Sequence, residues 1–165
     1  MRKWFYTLFA AANIIAMPTA YGDMRAPPEP SVSAQFETGQ VWTYKTRPKE
    51  VGSRVIIGKI EKAPMIGIIV HAKIIGLHMK NPRPAKGPLP EIGHTPITES
   101  ALKKSVITLT DEVPNLEGFA EGYEAWLSAY QNTGGGVFTL SLSEVVDAIE
   151  HVFNEPDHVT GQEEK

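Results

Sequence analysis

Pro82, Pro84, Pro88 and Pro90 fall within nine residues and divide the chain into two unlike halves. Proline has no N–H and a fixed φ, so this stretch predicts a loop without strand or helix interior. Before it, the apolar residues are β-branched and follow strand patterns. After it, they recur at helical spacing. Strands first and helices after them predict an α+β domain with a mostly antiparallel sheet of three to four strands and about three helices covering one sheet face.

The first strand runs over Gln40 to Thr46, with Trp42 and Tyr44 on one face. Arg54 to Lys62 and Ile66 to Met79 follow, rich in Val and Ile, with Gly67 and Gly76 marking bends or bulges. Antiparallel neighbours joined in sequence are the simplest arrangement. Val137 to Leu140 predicts a further short strand. Thr95 with Pro96 predicts a helix start, followed by an apolar stripe at Ile97, Ala101, Leu102, Val106 and Leu109. Asn115 starts a second helix, with Phe119, Tyr123, Trp126 and Tyr130 on one face and Gly118 and Gly122 four apart, where another element can approach closely. Gly134 to Gly136 ends it. Ser141 and Glu144 match a capping box ahead of a third stripe at Leu142, Val145, Val146, Ile149 and Phe153.

Arg2 and Lys3 precede an apolar run of 14 residues, Trp4 to Met17, too short for a membrane span of ~20 residues but right for an export signal. Residues 1–22 are read as that signal, with cleavage expected after Gly22 and Ala20 as second choice. An uncleaved anchor is the competing reading, and would be the chain's one membrane contact. The expected location is periplasmic or secreted. Residues 23–35 read as an extended proline-rich linker, 36–154 as the domain, and 155–165 as a disordered acidic tail. The absence of cysteine excludes a disulfide scaffold, a thiolate zinc site and a cysteine nucleophile. The domain must hold by core packing alone. No cofactor is implied.

Charge is divided along the chain. Lys45 to Lys104 holds 12 basic and 4 acidic residues, whereas Ser105 to Lys165 holds one basic and 12 acidic. Two arrangements follow. Acidic helices can complement a basic sheet rim within the molecule. Alternatively Lys45, Arg47, Lys49, Arg54, Arg83 and Lys86, beside Trp42, Tyr44 and His94, form a basic and aromatic face for an acidic glycan, lipid headgroup or acidic protein surface. Nucleic acid is not expected in an exported protein of net charge -3.

Motifs for catalysis are sparse. Ser100-Ala101-Leu102-Lys103 matches S-x-x-K, but S-D-N and K-T-G are missing, so a helix-start serine and an exposed lysine are expected. The glycine run lacks G-K-[ST] and follows a helix, so it is no phosphate loop. The five histidines lack metal-ligand spacing. His71 and His78 fall on opposite faces of a regular strand unless a bulge at Gly76 changes the parity. His71, His94 and Glu91 could meet only through tertiary folding. If they converge in a cleft, a small hydrolase with a His/acid site is the alternative to binding.

The run Gly39 to Pro48 (GQVWTYKTRP), Gly93-His94-Thr95-Pro96 before Ser100-Ala101-Leu102, and Glu121-Gly122-Tyr123 before Trp126 resemble a family of small uncharacterised bacterial proteins. The resemblance covers most of Phe36 to Phe153 and implies one complete domain. It carries no activity, and this chain differs from the family by its signal segment. The expected role is non-catalytic binding of a protein or anionic envelope ligand, inhibitor- or immunity-like.

Overall fold

The computed structural model describes residues 26–82 and 86–155. The expected export signal, Arg83 and the acidic tail beyond Glu155 lie outside the described residues. The fold is α+β, with its strands mostly before its helices. The strands are β1 (Glu29–Pro30), β2 (Val41–Tyr44), β3 (Arg54–Ala63), β4 (Gly67–Met79), β5 (Leu89–Thr98) and β6 (Val106–Leu109). The helices are α1 (Glu99–Ser105), α2 (Phe119–Asn132) and α3 (Leu142–Asn154). The sheet order is β5-β4-β3-β2-β6, and β1 pairs with the far end of β3. All these pairings are antiparallel. Part of the expected linker is therefore extended but docked, with Glu29 opposite Lys62 and Pro30 opposite Glu61.

The helices cover both sheet faces rather than one. Along β4, Val70, Ala72 and Ile74 join a core completed by Leu102 of α1 and by Leu142, Val145, Val146 and Ile149 of α3. Ile69, one residue out of phase, joins a second core with Phe119, Tyr123, Trp126 and Tyr130 of α2. This follows from period-two alternation in strands: a strand with apolar residues on both faces needs a layer on each. The α2 stripe is the one expected from the sequence, with the helix starting at Phe119 after Gly118 in a left-handed conformation (φ 75°). The capping box of Ser141 and Glu144 is formed at α3.

Three elements differ from expectation. Leu89–Thr98 is a strand despite Pro90 and Pro96. It is the terminal strand of the sheet, and an edge position tolerates residues that cannot donate a ladder bond. The expected first helix is correspondingly split. Thr98 precedes a helix of only seven residues, and Val106–Leu109 returns as a strand against β2. Val137 to Leu140 is reduced to a single parallel bridge between Phe138 and Ile97.

Bulges decide which side chains reach the α2 face. The β3–β4 register shifts between Ile57 and Lys59. Val55 and Ile57 face the α1/α3 core before the shift, and Ile60 faces it after. Lys59 and Glu61 are thereby turned toward α2. Gly58 sits at this shift, where any Cβ would strike the Phe119 ring. The β4–β5 register shifts again between Ala72 and Ile74. At Gly76, φ is 73°, and Leu77 and Met79 take over the core face held earlier by Val70, Ala72 and Ile74.

Candidate functional site

On the α2 face, cross-strand neighbours bring polar groups into an otherwise apolar layer. Lys59 lies opposite His71, and His71 opposite Pro96. His71 Nδ1 is 3.0 Å from His94 Nε2. His71 Nε2 is 3.1 Å from Glu61 Oε2, with both side chains almost wholly buried. That contact lies off the line of the ring N–H, which leaves Nε2 without an aligned hydrogen bond, so it acts mainly as electrostatics. Glu61 also meets Lys59 Nζ at 2.8 Å and accepts from the Tyr123 hydroxyl at 3.0 Å. Lys59 Nζ donates to the same hydroxyl at 2.7 Å. Trp126 packs its ring on His71 at 4.6 Å between centroids.

The charges in this chain follow from the contacts. Burial alone would raise the Glu61 carboxyl, but contacts with His71, Lys59 and Tyr123 outweigh it and hold it at about 2. Burial pushes His71 down, against the pull of Glu61. Burial, with a smaller contribution from His71, pushes His94 down to about 3. At neutral pH the chain is one carboxylate beside two neutral rings. A carboxylate accepts and cannot donate, so the His71 proton is assigned to Nε2, facing Glu61. His71 Nδ1 is then an acceptor, and His94 must donate from Nε2. His94 Nδ1 is left as a bare lone pair. It is buried and has no hydrogen-bond partner.

His94 also lines a cavity of about 140 Å³. The cavity lies against the outer edge of β5, at Ile92 and Gly93, between Gly118, Gly122 and Ala125 on the α2 side and Ile149 and Phe153 of α3. Of the two glycines expected to allow close approach, Gly122 does so, whereas Gly118 is the residue before the helix and a Cβ there would meet nothing within 4 Å. A Cβ on Gly122 would lie 2.6 Å from His94 Cβ. Glu91 lines the cavity but is not the acid of the histidine pair. It ion-pairs at 3.1 Å with Lys73, whose Nζ also donates to the Glu117 carbonyl at 2.7 Å. Glu61 takes that place, through the β3 bulge.

The expected basic and aromatic face is distributed differently. Arg47 is buried and pairs with Glu50, Asp147 and Glu150. Lys49 pairs with Glu150 and Arg54 with Glu112. Lys45 and Lys86 are exposed. Tyr44 is buried and shares a 2.7 Å hydrogen bond with Ser53, while Trp42 packs edge-on against Phe36 at the margin of the same core. Acids of the second half thus engage Arg47, Lys49 and Arg54 of the basic half within the molecule. Ser100 and Lys103 are both exposed on α1. Among the described residues, no three His, Asp or Glu side chains are placed to hold a metal ion, and no helix is long and apolar enough to cross a membrane.

The two histidines were visible in the sequence as a pair that could meet. Glu61, Lys59 and Tyr123 were not, because their convergence depends on a bulge. Compared with known proteins, the chain matches no protein family, no curated protein and no solved structure.

Proposed function

We propose that this protein is a non-catalytic binding protein whose site is the cavity beside β5, and that it takes an apolar group of about benzene size carrying one hydrogen-bond donor. The observation that carries this reading is a largely apolar cavity with His94 in its wall, a residue whose buried Nδ1 has no hydrogen-bond partner. A buried acceptor without a partner costs about 1–3 kcal/mol, and a ligand O–H or N–H relieves that cost. A cavity of about 150 Å³ suffices for a benzene ring.

His94, held at about 3, counts against the hydrolase alternative. A general base works best with a pKa near the working pH, and this ring is too weakly basic to take a proton from water at neutral pH. The Glu61–His71–His94 chain instead fixes a tautomer and an orientation. The anionic-ligand version of the binding reading is weakened by the ion pairs that engage Arg47, Lys49 and Arg54. Action outside the cytoplasm remains part of the proposal, supported by Arg2, Lys3 and the apolar run after them.

The test is titration of the protein with phenol and with toluene, followed by amide NMR. Phenol is expected to shift Gly93, Gly122 and Phe138 and to bind about five- to tenfold more tightly than toluene, the worth of one hydrogen bond. Equal binding of the two, or shifts confined to other residues, would rule the reading out.

A further inference from the structure

We infer that the ligand of the cavity is a small arylalkyl ammonium ion, with its ring in the cavity and its cationic head at the mouth against Glu91. The inference rests on the cavity reading above and deepens it by naming the charge of the ligand.

The first support is the make-up of the cavity wall. Apart from His94, Glu91 is its one ionisable residue, set among glycines and apolar side chains. The Glu91 side chain is 45% exposed, so its carboxylate stands at the solvent end of the cavity and not on its floor. Oε2 meets Lys73 Nζ at 3.1 Å, while Oε1 is engaged by no cation or donor among the described residues. One charged group at the rim of an apolar cavity fixes the orientation of a ligand that brings the opposite charge.

The second support is the charge around that end. Lys73 is buried and already committed, donating to the Glu117 carbonyl at 2.7 Å besides pairing with Glu91. Glu117 and Glu121 are both exposed. They precede Gly118 and Gly122, the two α2-side glycines of the cavity wall. Three carboxylates against one ammonium leave two negative charges in excess. The start of α2 adds about half a positive charge, which does not cancel them. The mouth therefore attracts a cation and repels an anion.

The third support is size. A space of about 140 Å³ holds one benzene-sized ring and little more. An ammonium one methylene away must then stay at the mouth, where it keeps part of its water and avoids the cost of full burial. A partly exposed ion pair of this kind adds up to about fivefold in affinity.

The experiment titrates the full chain at pH 7 with benzylamine, with the neutral benzyl alcohol and with benzoate, following amide NMR. All three carry the same ring. Benzylamine is expected to bind about fivefold more tightly than benzyl alcohol and benzoate most weakly, with shifts at Gly93, Gly122 and Phe138. The readout for variants is the ratio of benzylamine to benzyl alcohol affinity, because a general change in the cavity moves both. Glu91→Gln should bring that ratio to about one. Glu121→Gln, which alters an exposed side chain away from the Lys73 contact, should lower it about twofold, and added salt should lower it as well. These last two arms stand even where Glu91→Gln disturbs Lys73. Equal binding of benzylamine and benzyl alcohol overturns the ammonium inference and leaves the cavity reading standing. A preference for benzylamine that survives both variants, or benzylamine shifts confined to the exposed residues of α2, also overturns it. Failure of all three compounds to bind overturns both readings.

Discussion

His71 Nδ1 and His94 Nε2 share one hydrogen bond of 3.0 Å under the α2 helix, and the Glu61 carboxylate on the far side of His71 decides which ring donates. The resulting tautomer of His94 is open to direct observation. Long-range nitrogen–proton NMR should show His94 protonated at Nε2 and bare at Nδ1. In Glu61→Gln the carboxylate no longer enforces the His71 proton at Nε2, and the His94 ring should show mixed tautomers. The same variant is expected to lose about 1.5–3 kcal/mol of stability, the range for hydrogen bonds to a charged partner. A fixed Nε2–H tautomer surviving in the variant would show that something other than Glu61 sets it.

The same two rings make the fold sensitive to acid. Burial holds both below the ordinary histidine value, His94 at about 3. Between about 6.5 and 3 the unfolded chain therefore binds a proton at His94 that the folded chain excludes, His71 acts in the same direction, and stability falls as pH falls. The slope is at most about 1.4 kcal/mol per pH unit for each ring, so about 2.7 for both. Glu61, held at about 2, acts in the same direction at lower pH: its contribution is present above about 4.5 and is lost toward 2. Urea unfolding at pH 7, 6, 5 and 4 should show stability declining from pH 6.5 downward. The decline should be shallower in His94→Gln by about one proton. A flat profile from pH 7 to 4 would contradict neutral burial of the pair.

Much of this was legible in the sequence, and the remainder was hidden for identifiable reasons. The stripe of Phe119, Tyr123, Trp126 and Tyr130 sets α2, because four large apolar residues at helical spacing can be buried together only on a helix. Ser141 and Glu144 set the start of α3. Strand β5 was hidden because Pro90 and Pro96 count against a strand until its edge position is known. The β6 residues Val106 and Leu109 fit a helical stripe as well as a short strand, a known ambiguity of short apolar runs. Glu61 was hidden because simple alternation puts it on the face of Val55 and Ile57. Only the register shift at Gly58 turns it toward His71. The division of charge was plain, but only the fold shows Arg47 reaching Asp147 and Glu150 about a hundred residues later.

That cross-chain network predicts a large stability effect away from the cavity. Arg47 and Glu50 are both buried, and Arg47 also holds Asp147 and Glu150 of α3. Burial works against the Glu50 charge, but Arg47 and the backbone N–H of His78 outweigh it and keep the carboxyl below its ordinary value. Arg47→Met leaves that carboxylate buried with its chief counter-charge gone, which costs about 3–5 kcal/mol. Adding Glu50→Gln removes the stranded charge while keeping an acceptor for His78, so the double variant should be more stable than Arg47→Met alone. Thermal or urea unfolding of the two single variants and the double closes the cycle. Strict additivity would mean that the two side chains are not coupled.

Gly58 and Gly122 should prove intolerant of even a methyl group, for different reasons. At Gly58 a Cβ would run into the Phe119 ring, which is itself packed among the α2 core residues and on the His94 ring. At Gly122 it would lie 2.6 Å from His94 Cβ. Overpacking of this kind costs about 1–3 kcal/mol. Alanine normally favours a helix over glycine by about 1 kcal/mol, so Gly122→Ala would be stabilising if helix propensity alone decided the outcome. The expected result is net destabilisation, with weaker phenol binding because the displaced backbone is that of His94, on the cavity wall. Gly58→Ala should destabilise through the Phe119 ring while leaving the Gly122–His94 approach intact, so its effect on phenol should be the smaller of the two. A stabilised Gly122→Ala with unchanged phenol affinity would mean that β5 and α2 are not as closely apposed as the His94–Gly122 contact requires.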